Sequence, residues 1–152
     1  MSKSTITTVL PFDVHTVWTL VTDVRHYGWR SDLSRTEVRS EKEFVEYARN
    51  GYATTFTVTK LEYCKRWEFD MENTNMRGHW TGVFRSKGDN TEIQFTEVVT
   101  AKKWMLKPFV KGYLKKQQAR FVADLKQALQ TQGEKAKIKP ADPSSAQRRQ
   151  IK

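Results

Sequence analysis

Between residues 36 and 100 apolar and polar side chains alternate with period two through six short segments. The links joining these segments are only a few residues long. Links that short can reverse a chain but cannot carry the crossover a parallel pairing needs, so the pattern dictates an antiparallel meander. Lys65 to Asn73 shows it most clearly, with Trp67, Phe69 and Met71 on one face and Arg66, Glu68, Asp70 and Glu72 on the other. Thr36–Arg39 and Glu43–Arg49 flank a turn at Ser40–Lys42. Asn50-Gly51, which tolerates positive φ, leads into Tyr52–Glu62. Asn73–Asn75 turns the chain into Met76–Arg85, and Lys87-Gly88-Asp89-Asn90 turns it into Thr91–Thr100, where Ile93, Phe95 and Val99 share a face. One apolar face and one charged face describe a sheet covered on one side only.

The flanking segments supply that cover. Ser4–Leu10 reads as a further strand stopped by Pro11, and Asp13 is a good N-cap for a short helix carrying Val14, Val17, Trp18 and Val21. Arg25 to Leu33 has neither period. At ~100° per residue, Leu106, Val110, Tyr113, Leu114, Phe121, Leu125 and Ala128 form one stripe of a long final helix. Pro108 either sits in its first turn or kinks an earlier start, and Gly133 is a plausible stop. Expected, then, is one folded domain over residues 1–131. Residues 132–152, with two prolines and few apolar groups, are expected to form a disordered basic tail.

The formal net charge of +10 is unevenly placed. Residues 1–101 carry 13 Lys/Arg against 14 Asp/Glu, residues 102–131 carry 8 against 1, and residues 132–152 carry 6 against 2. A one-signed surface attracts anions, so Lys107, Lys111, Lys115 and Lys116 are candidates for a weak anionic partner, or simply a solvated helix face. The single cysteine, Cys64, excludes an internal disulfide and suits a reducing compartment. The N-terminus lacks the apolar stretch of a signal peptide and no window has the ~20 apolar residues of a membrane span. A cytoplasmic protein is the expectation. His15, His26 and His79 have no metal-ligand spacing, no Gly-rich phosphate loop occurs, and no cofactor is expected. Nothing in the pattern sets an oligomeric state.

Strand, short helix, six-strand meander and long closing helix, in that order over residues 4–131, resemble the helix-grip fold, an α+β architecture in which a curved antiparallel sheet of about seven strands wraps a C-terminal helix. The chain resembles the START and polyketide cyclase/dehydrase-like superfamily (SRPBCC), which includes the birch-pollen allergen type. Pro11 followed by Asp13, Val14, Val17 and Trp18 looks like that family's passage from strand to helix. Asp23 through Trp29 resembles its D-x-x-x-Y-x-x-W loop, with the tryptophan here directly after Gly28. Met76 to Gly82 resembles the mid-sheet strand, and Lys115–Leu129 the closing helix. The resemblance implies an apolar cavity between sheet and helix. It leaves binding of a lipid or polyketide-like molecule, cyclisation or dehydration, and protein interaction all open.

Several residues bear on that choice. Glu97 is in phase with Ile93, Phe95 and Val99, so it should face inward, where a carboxyl has a raised pKa unless paired. It is the candidate acid/base or polar anchor, unless it reaches solvent or a cation near the strand end. Gln117 falls near the centre of the closing stripe and is placed to bond a ligand, Glu97 or a strand carbonyl. Phe56, Trp67, Phe69, Met71, Met76, Trp80, Phe84 and Phe95 fit an inward phase, and they either line a cavity or pack a plain core. Gly78 and Gly82 on one strand suggest space beside these rings. Trp29, Leu33, Trp104 and Met105 fall in segments that the family places at the cavity mouth. Three readings follow: a binding protein without turnover, an enzyme using Glu97 with Tyr113 or His79 assisting, and an interaction module using the basic helix and tail. His79 is the weaker assistant, because its phase points away from Gly78 and Trp80.

Overall fold

The computed structural model describes residues 1–138. Seven strands form one antiparallel sheet: β1 (Ser2–Leu10), β2 (Leu33–Val38), β3 (Glu43–Ala48), β4 (Ala53–Glu62), β5 (Arg66–Glu72), β6 (Met76–Lys87) and β7 (Asn90–Ala101). The six-segment meander of the sequence is strands β2 to β7 in unbroken order, and β1 adds to the free side of β7. The turns form where the sequence places them. Gly51 and Gly88 take φ of 88° and 67°, values that cost a residue with a Cβ and cost glycine almost nothing. In the β5–β6 turn Asn73 Oδ1 accepts from the backbone N–H groups of Asn75 and Met76.

Helix α1 (Val14–Thr22) starts at Asp13, whose carboxylate accepts from the N–H groups of His15 and Thr16. Two of the four orphan donors of a helix start are thereby satisfied. Val17, Trp18, Leu20 and Val21 are its buried face. A 3-10 turn at Trp104–Leu106 leads into α2 (Lys107–Ile138). Pro108 sits in the first turn of α2, where its missing N–H leaves no bond unmade. The helix continues through Gly133, past the expected stop, as far as Ile138. The remainder of the expected tail, residues 139–152, lies outside the described residues.

The buried stripe of α2 is Val110, Leu114, Gln118, Val122, Leu125 and Leu129. It packs on β1, β7 and α1. With Leu10, Val17, Ile93 and Phe95 it forms the fully enclosed part of the core, each such side chain contributing about 1.5–3 kcal/mol of burial. Tyr113, placed in the stripe by its spacing, is half exposed at its flank. Because α2 is held against the β1–β7 side, the aromatic face of β3 to β6 looks across a gap at the helix.

Candidate ligand cavity

That gap is a cavity of about 800 Å³, within the size range of small-molecule sites. Phe44 and Phe56 stack with ring centroids 4.9 Å apart, as do Phe69 and Trp80 at 4.8 Å. Trp67 meets Phe69 edge-on at 5.1 Å. Packed rings of this kind hold one another in place, so the wall is a preformed flat surface. Met71 and Met76 extend it, and Trp29, Leu33 and Phe121 close the opposite side. The glycines do not create the space. A Cβ on Gly82 would meet the Trp80 ring at 2.4 and 2.6 Å, and one on Gly78 would meet Val98 O at 2.7 Å. Gly82 therefore lets the Trp80 indole lie flat along the sheet.

The polar end of the cavity comes from four elements. Arg30, in the loop before β2, bonds both carboxylate oxygens of Asp32 at 3.1 and 3.0 Å and those of Glu46 on β3 at 3.3 and 3.4 Å. Its guanidinium lies 4.8 Å from the Phe121 ring centroid. Burial alone would lower the pKa of Arg30, but the charge of Glu46 and the bonds to Asp32 outweigh it, so it stays firmly cationic. Glu97, on β7 opposite Trp80 of β6, opens into the same space. Burial, reinforced by the charge of Glu46 and opposed by Arg30, raises its pKa to about 7. No hydrogen bond from another described residue contributes to that value. With Arg30 committed to Asp32 and Glu46, Glu97 is left as an acid that both donates and accepts at neutral pH. On α2, Tyr113 Oη accepts from Gln117 Nε2 at 3.0 Å. Burial raises the Tyr113 pKa against the effect of that bond.

The structure thus brings together on one cavity Phe56, Trp67, Phe69, Met71, Met76, Trp80, Phe95, Glu97, Tyr113, Gln117, Trp29 and Leu33. It does not bring in Phe84, Trp104 or Met105. Phe84 is buried on the far side of Phe95, against Trp18 at 4.9 Å. Trp104 and Met105 point outward from the 3-10 turn, and Leu106, Phe109 and Val110 take the lining positions. The strand carbonyls expected of Gln117 go to its neighbour. Gln118 donates to Ser4 O and Phe95 O and accepts from Ser4 Oγ. His79 lies on the outer face between Asp70 and Glu68, at 2.7 and 2.8 Å, far from any role beside Glu97. Arg30, Asp32, Glu46 and Phe44 are the site residues that sequence reasoning missed. Glu46 carried a signal, since it shares the phase of the buried Phe44 in β3.

Sheet, clasped helix and lined cavity define a ligand-binding or cyclase type of fold. The chain belongs to the family described as polyketide cyclase / dehydrase and lipid transport, whose model matches residues 1–130. Among solved structures it is similar to a START superfamily protein from Mycobacterium smegmatis, with a TM-score of 0.76 at 13% identity over 86% of this chain and 99% of that one. It is similar to a conserved protein from Geobacillus kaustophilus, with a TM-score of 0.74 at 12% identity over 85% and 95% of the two chains. The di-domain ARO/CYC protein BexL of the BE-7585A biosynthetic pathway gives 0.72 at 12% identity, over 86% of this chain and 47% of that one. At these identities the likeness shows the fold alone. No curated protein matches the sequence significantly. Among the described residues no helix is long and apolar enough to cross a membrane.

Proposed function

We propose that the chain binds a small molecule with a flat apolar body and a polar end, laid along the ring wall with its polar end at Glu97. One observation carries this reading: a carboxyl whose pKa burial raises to about 7, hydrogen-bonded by no other described residue, facing an aromatic wall across a cavity of about 800 Å³. The Glu97 carboxyl reaches the open space of the cavity, where a ligand hydroxyl, amine or carbonyl would bond it in place of water. Beside Glu97 the carboxylates of Asp32 and Glu46 outnumber the Arg30 guanidinium that binds them, so an uncharged or cationic polar end fits better than a carboxylate. Native mass spectrometry of the freshly purified chain, compared with its denatured mass, tests the reading. A bound adduct of lipid or polyketide-like mass is the expected result. A bare chain that also fails to bind a hydrophobic fluorescent probe overturns it.

The same carboxyl favours a second reading, a cyclase/dehydratase in which Glu97 passes protons to and from a carbonyl substrate. A pKa near the working pH is what such a group requires. Glu97→Gln separates the two readings. For a dehydratase the variant should co-purify with an adduct one water heavier than that on the unaltered chain, because substrate accumulates. The same adduct on both leaves binding alone.

A further inference from the structure

The start of α2 carries a surface that neither reading uses. Trp104, Met105 and Phe109 are 78%, 61% and 70% exposed, large apolar side chains gathered within six residues. Around them stand Lys103, Lys107, Lys111, Lys115 and Lys116, and no acidic residue occurs between Glu97 and Asp124. Glu72, the carboxylate beside this tip, is bonded to Lys102 at 2.6 Å and so is neutralised. None of the other five lysines enters an ion pair with a described residue. The N-terminal end of a long helix adds positive potential of its own. Exposed aromatic and thioether groups ringed by lysines match an interface that is anionic outside and apolar just beneath, which a nucleic acid is not. The chain's own residues 139–152 have four basic residues against one acidic, the same sign as this patch, so their charge does not complement it. Leu106, Phe109 and Val110 also line the cavity, so the patch sits at its rim.

We propose that the tip of α2, residues 103–111, docks on an anionic lipid bilayer, with Trp104, Met105 and Phe109 at the boundary between headgroups and acyl chains and the lysines at phosphate level. Docked in this way, the cavity rim faces the membrane. The proposal does not depend on what fills the cavity, because sedimentation reads the chain held on the vesicle and not a lipid withdrawn from it.

The full chain is sedimented with vesicles of phosphatidylcholine alone, or of phosphatidylcholine mixed with phosphatidylserine, while Trp fluorescence is recorded. Binding should appear with the mixed vesicles, weaken with salt, and blue-shift the emission. Each lysine near such a surface contributes a factor of about five, so Lys103→Gln/Lys107→Gln/Lys111→Gln together should weaken partitioning by about a hundredfold. Trp104→Ser/Phe109→Ser should abolish the blue shift and weaken binding at least tenfold. Both sets of positions are exposed, and unchanged far-ultraviolet circular dichroism confirms that each variant folds. Equal binding of all three chains overturns the proposal, as does salt-sensitive binding that ignores the Trp104/Phe109 pair, which marks a purely electrostatic partner such as RNA. Absence of binding to mixed vesicles overturns it while leaving the cavity reading untouched.

Discussion

Replacing Glu97 by glutamine should stabilise the protein at alkaline pH and leave it nearly unchanged at acid pH. The sign follows from the direction of the shift. The Glu97 pKa rises from its ordinary 4.5 to about 7 on folding, so between those values the folded chain holds a proton that the unfolded chain has released. Stability therefore falls as pH rises through that window, and the loss is complete above the folded value. At about 1.4 kcal/mol per pH unit, a shift of this size costs about 3 kcal/mol once pH exceeds ~8. Glutamine keeps the shape and a polar head but cannot ionise. Urea unfolding of both chains at about pH 4.5 and pH 8 measures the effect. The difference in stability between variant and original should grow by about 3 kcal/mol across that range. Other titrating groups contribute equally to both chains and cancel. Parallel stability–pH curves would refute the reasoning, because they would mean that Glu97 ionises as freely in the cavity as in water.

Arg30→Met should cost about 3–5 kcal/mol in urea unfolding, because it strands Asp32 and Glu46 without their cation. It should also move the Glu97 pKa higher still, measurable as an alkaline stability loss that is larger and completes at higher pH. Gly82→Ala should cost about 1–3 kcal/mol by driving the Trp80 ring off the sheet, and should raise Trp fluorescence anisotropy decay relative to the original if the indole loosens. His79 is partly buried, which by itself lowers its pKa, but its bonds to Asp70 and Glu68 raise the net value. Its contribution to stability should therefore be present at low pH and disappear as pH rises through the raised value. His79→Gln should abolish that component in the same pH-resolved unfolding curves.

The fold was legible because its signal is repeated. Seven alternating segments, punctuated by Asn50-Gly51, Asn73–Asn75 and Gly88, leave little freedom in topology. Each hairpin is a local decision, so an error at one does not spread to the next. The helix end was not legible, because stopping at Gly133 is only a preference of about 1 kcal/mol, and Gly133 instead packs beside Phe12 as the helix runs on. Of the eleven residues that phase turned inward, ten line the cavity, and Phe84 does not, because phase gives the face of a sheet and not the position along it. Phase also left the partner of Gln117 open. Neighbours on a helix point about 100° apart, so Gln118 turns to the strand carbonyls while Gln117 stays beside Tyr113.

The polar end was the hardest part to read, because its chemistry is set by pairs distant in sequence. Arg30 sits in an irregular loop where no period constrains it, and the inward phase that Glu46 shares with Phe44 does not say which cation it meets. Only the folded chain places both beside Glu97. There they act in opposite directions on its proton affinity, Glu46 raising it and Arg30 lowering it, on top of a larger effect of burial. Had Arg30 been unpaired, it would have held Glu97 ionised as a simple salt bridge and filled the polar end of the cavity. Because Asp32 and Glu46 take up the donors of Arg30, Glu97 keeps its proton-exchanging character and its unmet bonding capacity. The property that makes this cavity a candidate site thus arises from a cation that two other carboxylates occupy, an arrangement that no single residue or spacing in the sequence announces.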